Sequence, residues 1–114
     1  MLQRLSRKPS LRQRSLLSLE EAAEIRDLFT ILANDTRLRL LHALVQAGEL
    51  CVTDLAERLG MTPQAISNQL QRLADRKILA TRREGNHIYY RILDPCVPTL
   101  LHRGICLVED TRES

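Results

Sequence analysis

Residues 53–73, TDLAERLGMTPQAISNQLQRL, leave this chain few ways to fold. The segment reads as two short helices joined by a tight turn. Leu55, Ala56 and Leu59 share one face of the first helix, and Gly60 supplies a left-handed residue that stops it. Thr62 suits the N-cap of the second helix, and Pro63 suits its first position, where a missing N–H loses no hydrogen bond. Ile66, Leu70 and Leu73 then fall inward at spacings of four and three, which leaves Gln64, Ser67, Asn68 and Gln71 outward. A helix, a glycine turn and a second helix with outward amides and hydroxyls is the helix-turn-helix pattern. On such a helix Thr62, Gln64, Ser67, Asn68, Gln71 and Arg72 are candidates for contact with base edges and phosphates in a major groove. The alternative is a polar, solvated helix in a small bundle.

Charge distribution favours the nucleic-acid reading. The whole chain carries a formal +3, yet residues 58–91 hold seven bases against two acids, or +5. Positive charge gathered beside a helix-turn-helix is what phosphate contact requires. The chain is 114 residues long, enough for one domain with a modest core, and such domains gain from pairing with a copy of themselves. No apolar run approaches the ~20 residues that span a bilayer. The basic start, MLQRLSRKPSLRQRS, lacks the apolar centre of a secretory signal, so the expectation is a cytoplasmic protein with no membrane partner.

Around the central segment the chain divides into a basic flexible arm over residues 1–18, an ordered domain over 19–108 and a polar tail over 109–114. A helix is predicted over 19–33, with a wide stripe of Ala22, Ile25, Leu28, Phe29 and Leu32 that suggests a second surface meeting another chain. Asp35 is placed to cap the next helix, whose expected apolar face is Leu38, Leu41, Leu44 and Val45, with His42 packed beside it. Residues 79–93 form two β-prone runs flanking Glu84-Gly85-Asn86, a hairpin signal. A hairpin directly after a recognition helix is a wing, and Arg82, Arg83, Asn86 and His87 near its tip can lie on a phosphate backbone or in the minor groove. A last helix is expected over 97–108, with Leu101, Ile105 and Val108 as a stripe and Gly104 permitting close approach. The fold class is therefore mainly α with a small β-hairpin: a winged helix-turn-helix.

The segments LANDTRLRLL, ELCV, ISNQLQRL and REGNHIYYRI, in that order, resemble the ArsR/SmtB family of small winged-helix repressors. The resemblance spans about residues 20–108. It implies a homodimer held by its first and last helices on a palindromic double-stranded operator. It also implies release when an effector, often a thiophilic or transition metal, shifts the dimer to a geometry unsuited to both half-sites, which is a coupling free energy. ELCV matches the first cysteine of the family's metal box at Cys51, with Thr53 at the second position. In the family's last-helix site, Asp94 matches, Cys96 stands where a histidine would, and Cys106 lies one residue before the second histidine position, which holds Leu107.

Three cysteines, an odd number, do not make a secreted disulfide framework. If 96–106 is one helix, its two sulfurs lie ~15 Å apart along the axis. Two thiolates on one ion, each at ~2.3 Å, must approach within about 4–5 Å. Either Cys96 of one chain meets Cys106 of another, or the helix starts after Pro98 and Cys96 folds back from a loop. The thiols point to a soft ion, Hg(II), Cd(II), Pb(II) or As(III), rather than Ni or Co. Cys96, Cys106 and Cys51 are the first candidate ligands, followed by Glu109, Asp94 and His102. A thiol redox switch and an effector-independent regulator of the same fold stand as alternatives. No GxSxG, HExxH, GxGxxG or P-loop motif occurs, so an enzyme is not expected.

Overall fold

The side chains most removed from solvent, Leu40, Leu41, Leu44, Leu55, Ile66, Leu70 and Leu73, come from three consecutive helices. In the computed structural model, which describes residues 8–113, these are α2 (Asp35–Ala47), α3 (Val52–Leu59) and α4 (Pro63–Asp75). Helix α1 (Leu19–Leu32) precedes them and α5 (Cys96–Glu113) follows. The strands are β1 (Leu50–Cys51), β2 (Leu79–Glu84) and β3 (His87–Ile92). Among the described residues no helix is long and apolar enough to cross a membrane.

Local chemistry accounts for most helix ends. Ser18 and Glu21 form a capping box at α1: the Ser18 hydroxyl accepts from the Glu21 amide and the Glu21 carboxylate from the Ser18 amide. Those bonds hold the Glu21 carboxyl below its ordinary value. The basic arm expected over residues 1–18 lies partly outside the described residues, and its end at Ser18 is this cap. Asn34, not Asp35, caps α2, accepting from the Arg37 amide at 3.1 Å. The core face of α2 is also rotated from expectation. Leu40, Leu41, Ala43 and Leu44 are buried, Leu38 and Val45 are 37% and 45% exposed, and His42 faces solvent. Leu40 and Leu44 sit one turn apart over α3 and α4, whereas Leu38 turns towards α5.

Both helices of the helix-turn-helix end in one hydrogen-bond pattern, in which an amide beyond the helix reaches back five residues over the last turn. After α3, Met61 donates to the Ala56 carbonyl and Gly60, at φ +67°, to that of Glu57. After α4, Ile78 donates to Leu73 and Lys77 to Ala74, and Lys77 takes the left-handed φ of +59° that a glycine usually fills. The buried Ile78 closes that turn against the core.

The hairpin is one part of a three-stranded antiparallel sheet in the order β1-β3-β2. Leu50 pairs with Tyr90 and Cys51 with Tyr89, an addition the alternation of residues 79–93 did not announce. This third strand anchors a hairpin that would be marginal alone. Gly85, at φ +60°, occupies the first central position of the two-residue turn. Helix α5 begins at Cys96, so Pro98 lies in its first turn, and it continues beyond the expected end at Val108 to Glu113. It buries no residue, although Val97 and Leu101 pack partly against the core.

Candidate nucleic-acid interface and thiol sites

The surface of α4 that the sequence assigns to base contact is open. Gln64, Asn68, Gln71 and Arg72 are exposed, Ser67 is half-buried, and the chain lays nothing across them. Thr62 caps the helix, accepting from the Ala65 amide at 3.2 Å. The Gln64 amide donates to the Asn68 side chain at 3.2 Å, and that of Gln71 to the Asp75 carboxylate at 2.8 Å. These are exposed i, i+4 bonds, weak enough to exchange for bonds to a base edge. Thr62, Gln64, Asn68, Gln71 and Arg72 thus form a preformed donor and acceptor row.

In the wing, sequence neighbours have different surroundings. Arg83, Asn86 and His87 are exposed around the turn. Arg82, expected beside Arg83 as a phosphate contact, is clamped. Its Nη2 lies 2.6 Å from the Glu49 carboxylate, its Nε donates to both Glu49 oxygens at 3.2 Å, and its Nη1 reaches Glu84 at 3.0 Å. The guanidinium also sits 4.8 Å over the Tyr89 ring. Those bonds raise the Arg82 pKa further and lower that of Glu49, through Arg82 first. Successive residues of a strand face opposite sides, so Arg83 escapes this clamp. The geometry therefore makes Arg82 a brace between β2 and the segment entering β1, and leaves Arg83 exposed.

The three thiols are free and have different surroundings. Cys51 is buried at the start of α3, its Sγ donating to Asp54 Oδ2 at 3.2 Å and lying 3.2 Å from the Thr53 hydroxyl. Cys96 opens α5, its amide donating to the Asp94 carboxylate at 2.8 Å, with Lys8 Nζ 3.9 Å from its Sγ. Cys106 lies 3.6 Å from His102 Nε2 one turn earlier, and Glu109 is exposed one turn later. Because α5 is continuous from Cys96, the alternative of a helix beginning after Pro98 is excluded. Ten residues of helix keep Cys96 and Cys106 ~15 Å apart. Among the described residues no three His, Cys, Asp or Glu side chains gather as a metal site. Among the described residues of one chain, Cys96 and Cys106 therefore do not meet on one ion.

Helices α1 and α5 present the other unfinished surface. Phe29, Leu100, Ile105 and Val108 are 39–50% exposed. With Leu32, Leu38 and Leu101 they line an apolar groove of about 630 Å³. A Cβ on Gly104 would meet nothing within 4 Å, so the close approach expected there is not to its own chain.

The family model described as bacterial regulatory protein, arsR family, matches residues 34–78, from the α2 cap through the recognition helix. The chain is 60% identical to the solved antimony-specific transcriptional repressor AntR, with a TM-score of 0.81 over 95% of this chain and 97% of that one. The chain belongs to the ArsR/SmtB family. A further ArsR-family relative, the transcriptional repressor SmtB homolog of Synechocystis sp., is 38% identical over 77% of this chain. That match spans 66% of the relative's own length. The homodimeric winged helix-turn-helix domain of a possible ArsR-family regulator from Mycobacterium bovis is 31% identical, with a TM-score of 0.72 over 88% of this chain and 94% of that one. The family is one of DNA-binding transcriptional regulators, and the winged helix-turn-helix read from the sequence is its fold.

Two residues with structural roles at the interface escaped the sequence reading. Arg37 and Gln69 stand where helical periodicity assigns no function, Gln69 between the outward Asn68 and the inward Leu70. No local signal marks them, because each acquires its role from the other.

Proposed function

We propose that the protein is a homodimeric transcriptional repressor that leaves a palindromic operator when a thiophilic ion binds between its protomers. The observation that supports this most is the pairing of an uncovered polar face on α4 with an uncovered apolar face on α1 and α5. The first needs DNA, and the second needs a copy of the same chain. A twofold dimer through α1 and α5 sets two α4 helices for successive major grooves, with Arg83, Asn86 and His87 on the flanking backbone. The same apposition lets Cys96 of one protomer approach the partner's Cys106, which one chain cannot do alone. His102 beside Cys106 is available as a further ligand.

Within the soft-ion class, similarity to an antimony-specific repressor favours trivalent antimony or arsenic over Hg(II), Cd(II) and Pb(II). Such centres take thiolate sulfur in preference to oxygen. Cys51 is the least suited of the three thiols, since it is buried and bonded to Asp54. Titration of the fully reduced dimer with antimony(III), followed by thiolate charge-transfer absorption and by operator binding at each step, tests the reading. Release that saturates with the absorption, and is lost in Cys96→Ser and Cys106→Ser but not in Cys51→Ser, supports it. Release by oxidant alone would favour a disulfide switch, and release unaffected by all three replacements would refute the thiol site.

A further inference from the structure

Among the described residues one charged side chain is buried, Arg37, with 8% exposure. Its Nη1 donates to the Ile31 carbonyl at 2.9 Å and its Nε to Gln69 Oε1 at 2.8 Å. Its own amide is held by the Asn34 cap at 3.1 Å, so the base of the side chain is fixed where α2 begins. Ile31 is the penultimate residue of α1. Gln69 lies mid-way along α4, on the half-buried flank between Leu70 and the outward Asn68.

Desolvating a guanidinium is costly, and both of these acceptors are neutral, so an apolar residue of similar volume would serve the core at least as well. What Arg supplies and an aliphatic side chain cannot is a rigid planar fork with donors aimed in two directions. Here the two directions are the end of α1 and the flank of the recognition helix. The turn of α1 that ends in the bonded carbonyl also borders the groove shared with α5, because Phe29 and Leu32, on either side of Ile31, line it.

We propose that Arg37 is a positioning residue that couples α4 to the dimer-forming face, so that a shift of α1 against α5 is transmitted through Gln69 to the base-reading row. This rests on the repressor reading above and adds the route from the thiol-bearing helix to DNA. Replacing Arg37 itself empties a buried site, so Gln69 is the better probe. Gln69→Met removes the acceptor at similar volume, and Gln69→Glu keeps an acceptor.

The test uses the full chain and a duplex selected by the wild-type protein from a random library. Affinity is measured under full reduction with and without antimony(III) tartrate. A wild-type ratio of ~5–150-fold is the ordinary range for such coupling. In Gln69→Met the ratio is expected to collapse towards one while dimer mass stays at wild type, and thermal unfolding shifts to lower temperature because the buried Arg37 Nε loses its acceptor. Gln69→Glu is expected to keep the ratio, although its added charge weakens both affinities. A Gln69→Met dimer with the wild-type ratio overturns the inference.

Amide hydrogen exchange gives a readout that needs no effector. Duplex binding should slow exchange over residues 29–33 in the wild type and not in Gln69→Met, with α4 protected in both. Equal protection of 29–33 in the two proteins would also overturn the coupling. If antimony(III) fails to release the wild type, the effector reading falls, and the exchange experiment still decides the role of Arg37.

Discussion

The helix-turn-helix body and the α1–α5 face are built from the same kinds of residue and end in opposite states. In the body, Leu40, Leu41, Leu44, Leu55, Ile66, Leu70 and Leu73 are under 2% exposed. On the α1–α5 face, Phe29, Leu100, Ile105 and Val108 stay 39–50% exposed, and no residue of α5 is fully buried. The body is complete within one chain. In the proposed dimer the face is half of a core, and a second copy completes its apolar burial. Stability and the outward polar row thus reside in one region, and the proposed function assigns assembly and effector response to the other.

The largest effect should separate the two regions. Ile105→Asp places a charge in the open face, and the expected product is a folded monomer whose operator affinity falls ~10²–10⁴-fold through loss of the second half-site. Sedimentation and binding measured on the same sample check this, and an Ile105→Asp protein that stays dimeric would break the comparison. Leu70→Ala in the body should instead cost ~2–5 kcal/mol of unfolding free energy, read by denaturant melts at constant protein concentration. A loss under about 1 kcal/mol would mean that the body core is looser than its burial indicates.

Smaller effects sharpen the division within the DNA-facing surface. Asn68→Ala should lose ~1–3 kcal/mol on the selected operator and little on random duplex. An equal loss on both would move Asn68 off the base edges. Arg83→Ala should weaken binding to all sequences and reduce the salt slope by about 1. Arg82→Ala should leave that slope nearly unchanged, because its guanidinium is already engaged by Glu49 and Glu84.

The Arg82 clamp also has a pH signature, the smallest effect of the set. The folded Glu49 carboxyl titrates below its ordinary 4.5, so its contribution is full above that value. It is lost as pH falls through the lowered value, where the carboxylate takes up a proton. Protection of the β1 and β2 amides, taken relative to the intrinsic exchange rate at each pH, should fall over that acid range in the wild type. Glu49→Gln should show the lower protection already at neutral pH, and an identical profile in both proteins would remove the clamp from the account.

Residues 53–73 and the hairpin turn were legible because their signals are local. Gly60, Thr62, Pro63 and Gly85 each act within four residues, and the inward spacing of Ile66, Leu70 and Leu73 repeats within a single helix. Where local signals compete, reading was less sure. Asn34 and Asp35 are both good caps, and the chain uses Asn34. On α2, a leucine-rich run let Leu38 pass as core when Leu40 takes that place, since periodicity alone does not say which of several apolar stripes meets the neighbouring helices.

What the sequence determined by itself is the order of elements, the polar row on α4 and the presence of a wing, because capping, turn chemistry and helical period act between near neighbours. Only the tertiary structure decided that Arg37 bonds Gln69 across 32 residues, that Arg82 bonds Glu49 across 33, and that β1 joins the sheet. Those partners meet through packing of whole elements, and a charged side chain carries no mark of which distant acceptor will reach it. The thiols follow the same rule: their number was plain from the start, but the separation of Cys96 from Cys106 along one unbroken helix came only with the fold.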